Sequence, residues 1–169
     1  RGPIAVITMN RPEAMNSLTK EMLIGLEAAF DDFEADPALR VAIFTGAGER
    51  AFCTGLDLKV ALPALNEGDA LGYEDPAKRP FQRNFKPIIT AVNGMCVAGG
   101  LEFMLGTDIR IAAGHVKFGL AEVRWGVVPA GGSHIRLPQQ VPHRVAMEML
   151  LTGEPISADR ALELHLVNR

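Results

Sequence analysis

The chain has 169 residues, 48% of them hydrophobic and 22% charged, values that fit one ordinary globular domain and exclude a disordered tract or a small disulfide scaffold. Its 17 basic and 20 acidic side chains leave a net charge of −3, so there is no positive field to neutralise a nucleic-acid backbone. No apolar run reaches the roughly 18 residues that a bilayer-spanning helix requires, and no charged-then-apolar leader opens the sequence. The composition therefore predicts a cytoplasmic protein with no nucleic-acid or membrane partner. Two cysteines, Cys53 and Cys96, lie in apolar stretches without a CxxC pair, which predicts buried thiols in a reducing compartment and neither a disulfide framework nor a zinc site.

In chain order, Ile4 to Thr8 reads as a strand that begins almost at once after Arg1-Gly2-Pro3. The turn-rich Arg11-Pro12-Glu13-Ala14-Met15-Asn16 follows, then a helix from about Thr19 to Phe33 with Leu23, Leu26, Phe30 and Phe33 on one face and Ser17 or Thr19 as its cap. Val41 to Thr45 is a β-branched run ended by Gly46-Ala47-Gly48. Ala51 to Cys53 leads into Thr54-Gly55-Leu56-Asp57 and a helical pattern through Leu65.

Residues 66–80, with Gly68, Gly72, Pro76, Pro80 and four acids, read as a mobile surface loop. Pro87 to Val92 reads as a buried strand, Gly99 to Leu105 as a short helix and Asp108 to Ala113 as a strand; Pro142 to Leu151 and Ser157 to Leu164 read as helices. The final Leu164 to Arg169 looks like a helix finishing and a strand beginning, so both ends read as cut from a longer chain. Strands separated by helices predict an α/β layer structure with its ligand at strand-to-helix turns.

Two such turns stand out. Thr54-Gly55-Leu56-Asp57 and Val97-Ala98-Gly99-Gly100-Leu101-Glu102 place small residues where a helix starts, which leaves backbone N–H groups free to hold an oxyanion. The same glycines serve equally for close packing of helix on sheet. There is no GxGxxG, GxxxxGK[ST] or GxSxG, and Ser133 has the wrong flanks for a nucleophile elbow. Glu102 and Glu122 lie among apolar residues, where a carboxyl can trade protons near neutral pH. Their other reading is as helix-surface groups or as partners of Arg110 or Arg124. The four histidines lack metal-ligand spacing, and Met147 to Leu151 reads as core.

In combination, Asn10-Arg11-Pro12 through Asn16, Ala51 through Lys59, Lys86-Pro87 through Asn93-Gly94 to Glu102, Phe118 through Glu122, and Pro129, Gly131, Gly132 and Leu151-Thr152-Gly153 resemble the enoyl-CoA hydratase/isomerase (crotonase) family. The resemblance covers essentially the whole chain in family order. It implies a crotonase-like spiral of repeated ββα units, with residues 1–169 as the catalytic core of a longer subunit that continues into C-terminal helices. It also implies an acyl-CoA thioester as substrate, no metal or redox cofactor, and a homotrimer or dimer of trimers.

Residue by residue, the resemblance implies that the N–H groups of Leu56 and Gly99 form an oxyanion hole and that Ala14, Lys59 and Ala98 contact the CoA moiety. Glu102 and Glu122 fall at the positions of the two hydratase glutamates, which implies addition of water to a 2-enoyl-CoA to give a 3-hydroxyacyl-CoA. Glu102 would activate the water and Glu122 would protonate C2. The alternatives are carnitinyl-type dehydration, isomerisation or racemisation on the same fold, or a noncatalytic acyl-CoA binder. Ala98 departs from the frequent Gly-Gly-Gly, Glu13 replaces a basic residue seen in some members, and Leu56 is bulkier than the frequent alanine.

Overall fold

A 16-residue helix and two layers of short strands set the frame of the protein. The computed structural model describes residues 2–66 and 83–169; the expected loop over residues 66–80 therefore lies outside the described residues beyond its first position.

Helix α1 (Lys20–Ala35) buries Leu23, Leu26, Phe30 and Phe33, the stripe that the spacing predicts. Its cap is Thr19, whose hydroxyl oxygen accepts from the Met22 N–H at 3.3 Å. Ser17 is instead drawn away, its hydroxyl 3.4 Å from Asp57 Oδ2.

Strands β1 (Ile4–Met9), β2 (Val41–Gly46), β4 (Ile88–Val92) and β6 (Ile109–Ala112) form a parallel sheet in that order. A second sheet, in the order β3 (Ala51–Cys53), β5 (Met95–Val97), β7 (Lys117–Gly119) and β8 (Ile156–Ser157), is parallel except at β8. The chain alternates between them: β2 then β3, β4 then β5, β6 then β7, with α2 (Leu58–Asn66) and α3 (Gly99–Leu105) carrying it from one turn to the next. This is the ββα spiral. Helices α4 (Ser133–Gln140), α5 (His143–Thr152) and α6 (Ala158–Glu163) follow β7, and Ser157 caps α6 by accepting from the Arg160 N–H at 3.2 Å.

Phe44 on β2 has no exposed surface and meets three rings edge to face: Phe30 at 5.4 Å, Phe52 at 5.2 Å and Phe103 at 6.2 Å between centroids. These come from α1, β3 and α3, so one side chain ties the first sheet to the second and to both helices. Cys53 and Cys96 are buried, free thiols opposite one another on β3 and β5, as expected, and burial pushes the Cys53 thiol up to about 12.

The sequence pattern does not mark β5, β7, β8 or α4, since two- and three-residue strands show no period. The strand expected to begin within Leu164 to Arg169 does not form as a strand. Instead the Asn168 N–H donates to the Arg110 carbonyl at 2.8 Å, and the Ala112 N–H donates to the Arg169 carbonyl at 2.9 Å. The Asn168 side chain also accepts from the Arg110 N–H at 2.8 Å, so the tail follows the edge of β6 through isolated bonds.

Candidate active site

The two glycine-rich turns, distant in sequence, abut in space. Gly55 adopts φ +84°, and a Cβ there would lie 2.7 Å from the Ala98 methyl and 3.0 Å from the Gly99 nitrogen. Beneath them, a Cβ on Gly100 would collide with the Cys53 carbonyl, so α3 can start on top of β3 only because that position lacks a side chain. The first turn is stitched in place by the Leu18 N–H donating to the Gly55 carbonyl at 2.8 Å and the Asp57 N–H donating to the Leu18 carbonyl at 2.9 Å. Arg11 reinforces it, pairing with Asp57 at 3.2 Å and donating to the Ser17 carbonyl at 2.7 Å.

Each turn leaves a backbone donor at its junction with the other. Among the described residues neither the Leu56 nor the Gly99 N–H finds an acceptor, and Gly99 opens α3, where first-turn N–H groups have no intrahelical partner. The free donors lie on the two abutting turns, an arrangement that can receive an oxyanion.

Glu102 sits in the first turn of α3 and is only 7% exposed. Its Oε1 accepts two hydrogen bonds from Ser133, one from the hydroxyl at 2.8 Å and one from the backbone N–H at 3.1 Å. A Cβ on Gly131 would collide with Oε2, so the backbone before α4 presses directly against the carboxylate. Glu122, in a 3₁₀ turn over Glu122–Trp125, is half-buried, and its buried Oε2 has no partner. Burial is the main force raising the Glu122 pKa above the ordinary glutamate range, and the nearby charge of Glu102 adds to it.

Pairing with Arg110 or Arg124 does not occur. The two Nη groups of Arg110 donate to the carbonyls of Leu105, Thr107 and Leu166, and Arg124 pairs with Glu154. Two carboxyls, one with two donors on a single oxygen and one with a buried oxygen that has none, thus share a site with free backbone N–H groups.

Comparison with known proteins identifies the family. The family model described as enoyl-CoA hydratase/isomerase matches residues 1–169. The chain belongs to that family.

Among this family's members, the chain is 45% identical over 166 residues to an (E)-benzylidenesuccinyl-CoA hydratase from Thauera aromatica, covering 98% of this chain and 65% of that protein. It is 42% identical to an enoyl-CoA hydratase from Mycobacterium tuberculosis, covering 99% of this chain and 64% of the relative. A solved carnitinyl-CoA dehydratase from Mycobacterium avium 104 superposes with a TM-score of 0.89 at 40% identity, over 99% of this chain and 66% of that one. The chain thus spans a little under two thirds of the length of the curated relatives it matches.

The remaining positions singled out by the crotonase resemblance lie around the same turns. Ala98 immediately precedes the Gly99 donor, Lys59 is exposed near the start of α2, and half-buried Ala14 ends the 3₁₀ turn over Pro12–Ala14. Ser133, whose flanks do not fit a nucleophile elbow, is a partner of Glu102 instead, a role that the local sequence does not announce. Its nearest signal is the Gly131-Gly132-Ser133 run just ahead of a helix, which brings backbone close and supplies a donor. All four histidines are exposed. Among the described residues no group of three or more His, Cys, Asp or Glu could hold a metal ion, and no helix is long and apolar enough to cross a membrane.

Proposed function

We propose that this chain carries the catalytic core of an enoyl-CoA hydratase, adding water across the 2,3 double bond of a 2-enoyl-CoA thioester. The observation that carries the reading is the unequal pair: Glu102 with two donors on one oxygen, and Glu122 with a buried, unpartnered oxygen and a raised pKa. A carboxyl held by donors beside one whose proton affinity is raised by burial is a pairing suited to addition of water, which needs one proton taken and one given.

In this reading the Glu102 carboxylate takes a proton from water as the water oxygen bonds to C3. The electron pair of the double bond moves to the thioester oxygen, where the N–H groups of Leu56 and Gly99 hold the enolate. One such donor is worth roughly 3–4 kcal/mol in a comparable hole. Collapse of the enolate takes the Glu122 proton onto C2. The proton on Glu102 then returns to Glu122 or to solvent, and both groups are reset. Ala14, Lys59 and Ala98 flank the CoA moiety, no metal or redox cofactor takes part, and the working protein is a cytoplasmic homotrimer or dimer of trimers.

A second reading, dehydration of a carnitinyl-type thioester, draws support from the carnitinyl-CoA dehydratase that superposes on nearly the whole chain. Water loss runs the same two proton transfers backwards. The test is loss of the conjugated-thioester absorbance with 2-enoyl-CoAs of graded chain length, using the protein with its natural flanking sequence. Consumption of short straight-chain substrates with a matching rise in 3-hydroxy product supports the hydratase. Turnover of carnitinyl-CoA alone supports the second reading, and no turnover of either overturns both.

A further inference from the structure

Ser133 is fully buried at the first position of α4, and both of its donors go to one oxygen, Glu102 Oε1. The backbone N–H is a buried first-turn donor that needs an acceptor from outside the helix, but nothing about α4 requires the hydroxyl to follow it. Its cap, Gly132 at φ +102°, makes no side-chain cap bond, and a serine hydroxyl that served only the helix would turn to a backbone group of its own turn. The hydroxyl instead reaches across the spiral to α3.

The consequence for Glu102 is geometric. With Oε1 accepting twice, its carboxylate plane is fixed, and the backbone at Gly131 walls off one side of Oε2. Oε2 is thereby left as the oxygen available to a reacting proton. Resting on the hydratase reading, we infer that Ser133 is a positioning residue: it fixes the rotation of the Glu102 carboxylate so that Oε2 meets the attacking water. A misplacement of about 1 Å in a reacting group can cost about 100-fold in rate, so the effect should fall on turnover and spare substrate binding.

The test is Ser133→Ala in the full-length protein, with Ser133→Cys as a variant of nearly native volume that lacks a strong donor. Each should lower kcat by about 10- to 100-fold and change KM by less than about threefold. A kcat within twofold of wild type in a folded variant overturns the inference, as does a loss confined to KM. If the alanine variant does not fold, the cysteine variant decides. A readout independent of turnover is the infrared band of the Glu102 carboxylate, assigned by its disappearance in Glu102→Gln. Loss of the Ser133 hydroxyl should move that band, and an unmoved band overturns the inference. If wild-type protein hydrates no enoyl-CoA while the band does move, the hydratase reading fails and the Ser133–Glu102 contact stands.

Discussion

Glu102 and Glu122 lie close enough for the charge of one to oppose ionisation of the other, yet their surroundings are opposite in kind. Ser133 supplies two donors to Glu102, whereas the buried oxygen of Glu122 has none. A pair of carboxyls in one site tends to divide into a base and an acid when their environments differ in this way.

Exchange of either carboxyl for an amide should therefore remove one proton transfer while leaving the site's shape intact. Glu102→Gln and Glu122→Gln should each lower kcat for enoyl-CoA hydration by about 10²- to 10⁴-fold. Binding of a saturated acyl-CoA, followed by calorimetry, should persist in both. Wild-type turnover in either variant would remove the two-carboxyl mechanism.

The raised pKa of Glu122 also links stability to pH. Its folded state binds the proton more tightly than the unfolded chain does, so stability falls as pH rises from the ordinary glutamate range through the raised value. Glu122→Gln should accordingly unfold at higher urea than wild type at pH 7, and the difference should vanish near pH 4. A difference that grows toward low pH would reverse the assignment.

Much of this was legible before the structure. Helix α1 carries its four-residue stripe over 16 positions, long enough for a period to stand out, and both glycine-rich turns announce their free donors. What the sequence left open was where the arginines point. Arg110 and Arg124 were as plausible beside the glutamates as elsewhere, and only the packing shows them committed to backbone carbonyls and to Glu154. Ser133 was hidden for a related reason: its contact with Glu102 spans 31 positions, and no local pattern records a tertiary bond.

The approach of the two turns depends on Gly55. A Cβ would meet the Ala98 methyl at 2.7 Å and the Gly99 nitrogen at 3.0 Å while the backbone holds φ +84°, a conformation that costs an L-residue about 1–3 kcal/mol. Gly55→Ala should lower stability by at least that amount and push Leu56 and Gly99 apart. Loss of one oxyanion donor costs about 10²- to 10³-fold in kcat, so turnover should fall further than stability alone explains. Normal kcat in a folded Gly55→Ala variant would show that the two N–H groups do not act together.

Asp57 holds the same turn from the other side. Its carboxylate accepts from Arg11 at 3.2 Å and from Ser17 at 3.4 Å, with the pair only partly exposed. Asp57→Ala leaves the Arg11 side chain with its bonds to the Ser17 carbonyl and hydroxyl, and should cost about 1–2 kcal/mol by denaturant unfolding. Since those side-chain bonds brace the turn that carries the Leu56 N–H, kcat should fall several-fold in addition. Unchanged values of both would make the pair incidental.

Ala98 offers the opposite trade. It holds φ +50° and ψ −129°, a region that glycine occupies freely and alanine only under strain of about 1–3 kcal/mol. Glycine there would release that strain but add about 0.4–1 kcal/mol of unfolded-state entropy. Ala98→Gly should therefore be stabilising by about 1 kcal/mol, visible as a rise in Tm of roughly 2–4 °C. The strained residue directly precedes the Gly99 N–H, and a freer backbone would hold that donor less firmly, so kcat should drop as Tm rises. A variant that gains both stability and turnover would mean that the strain at Ala98 serves neither the turn nor the donor it positions.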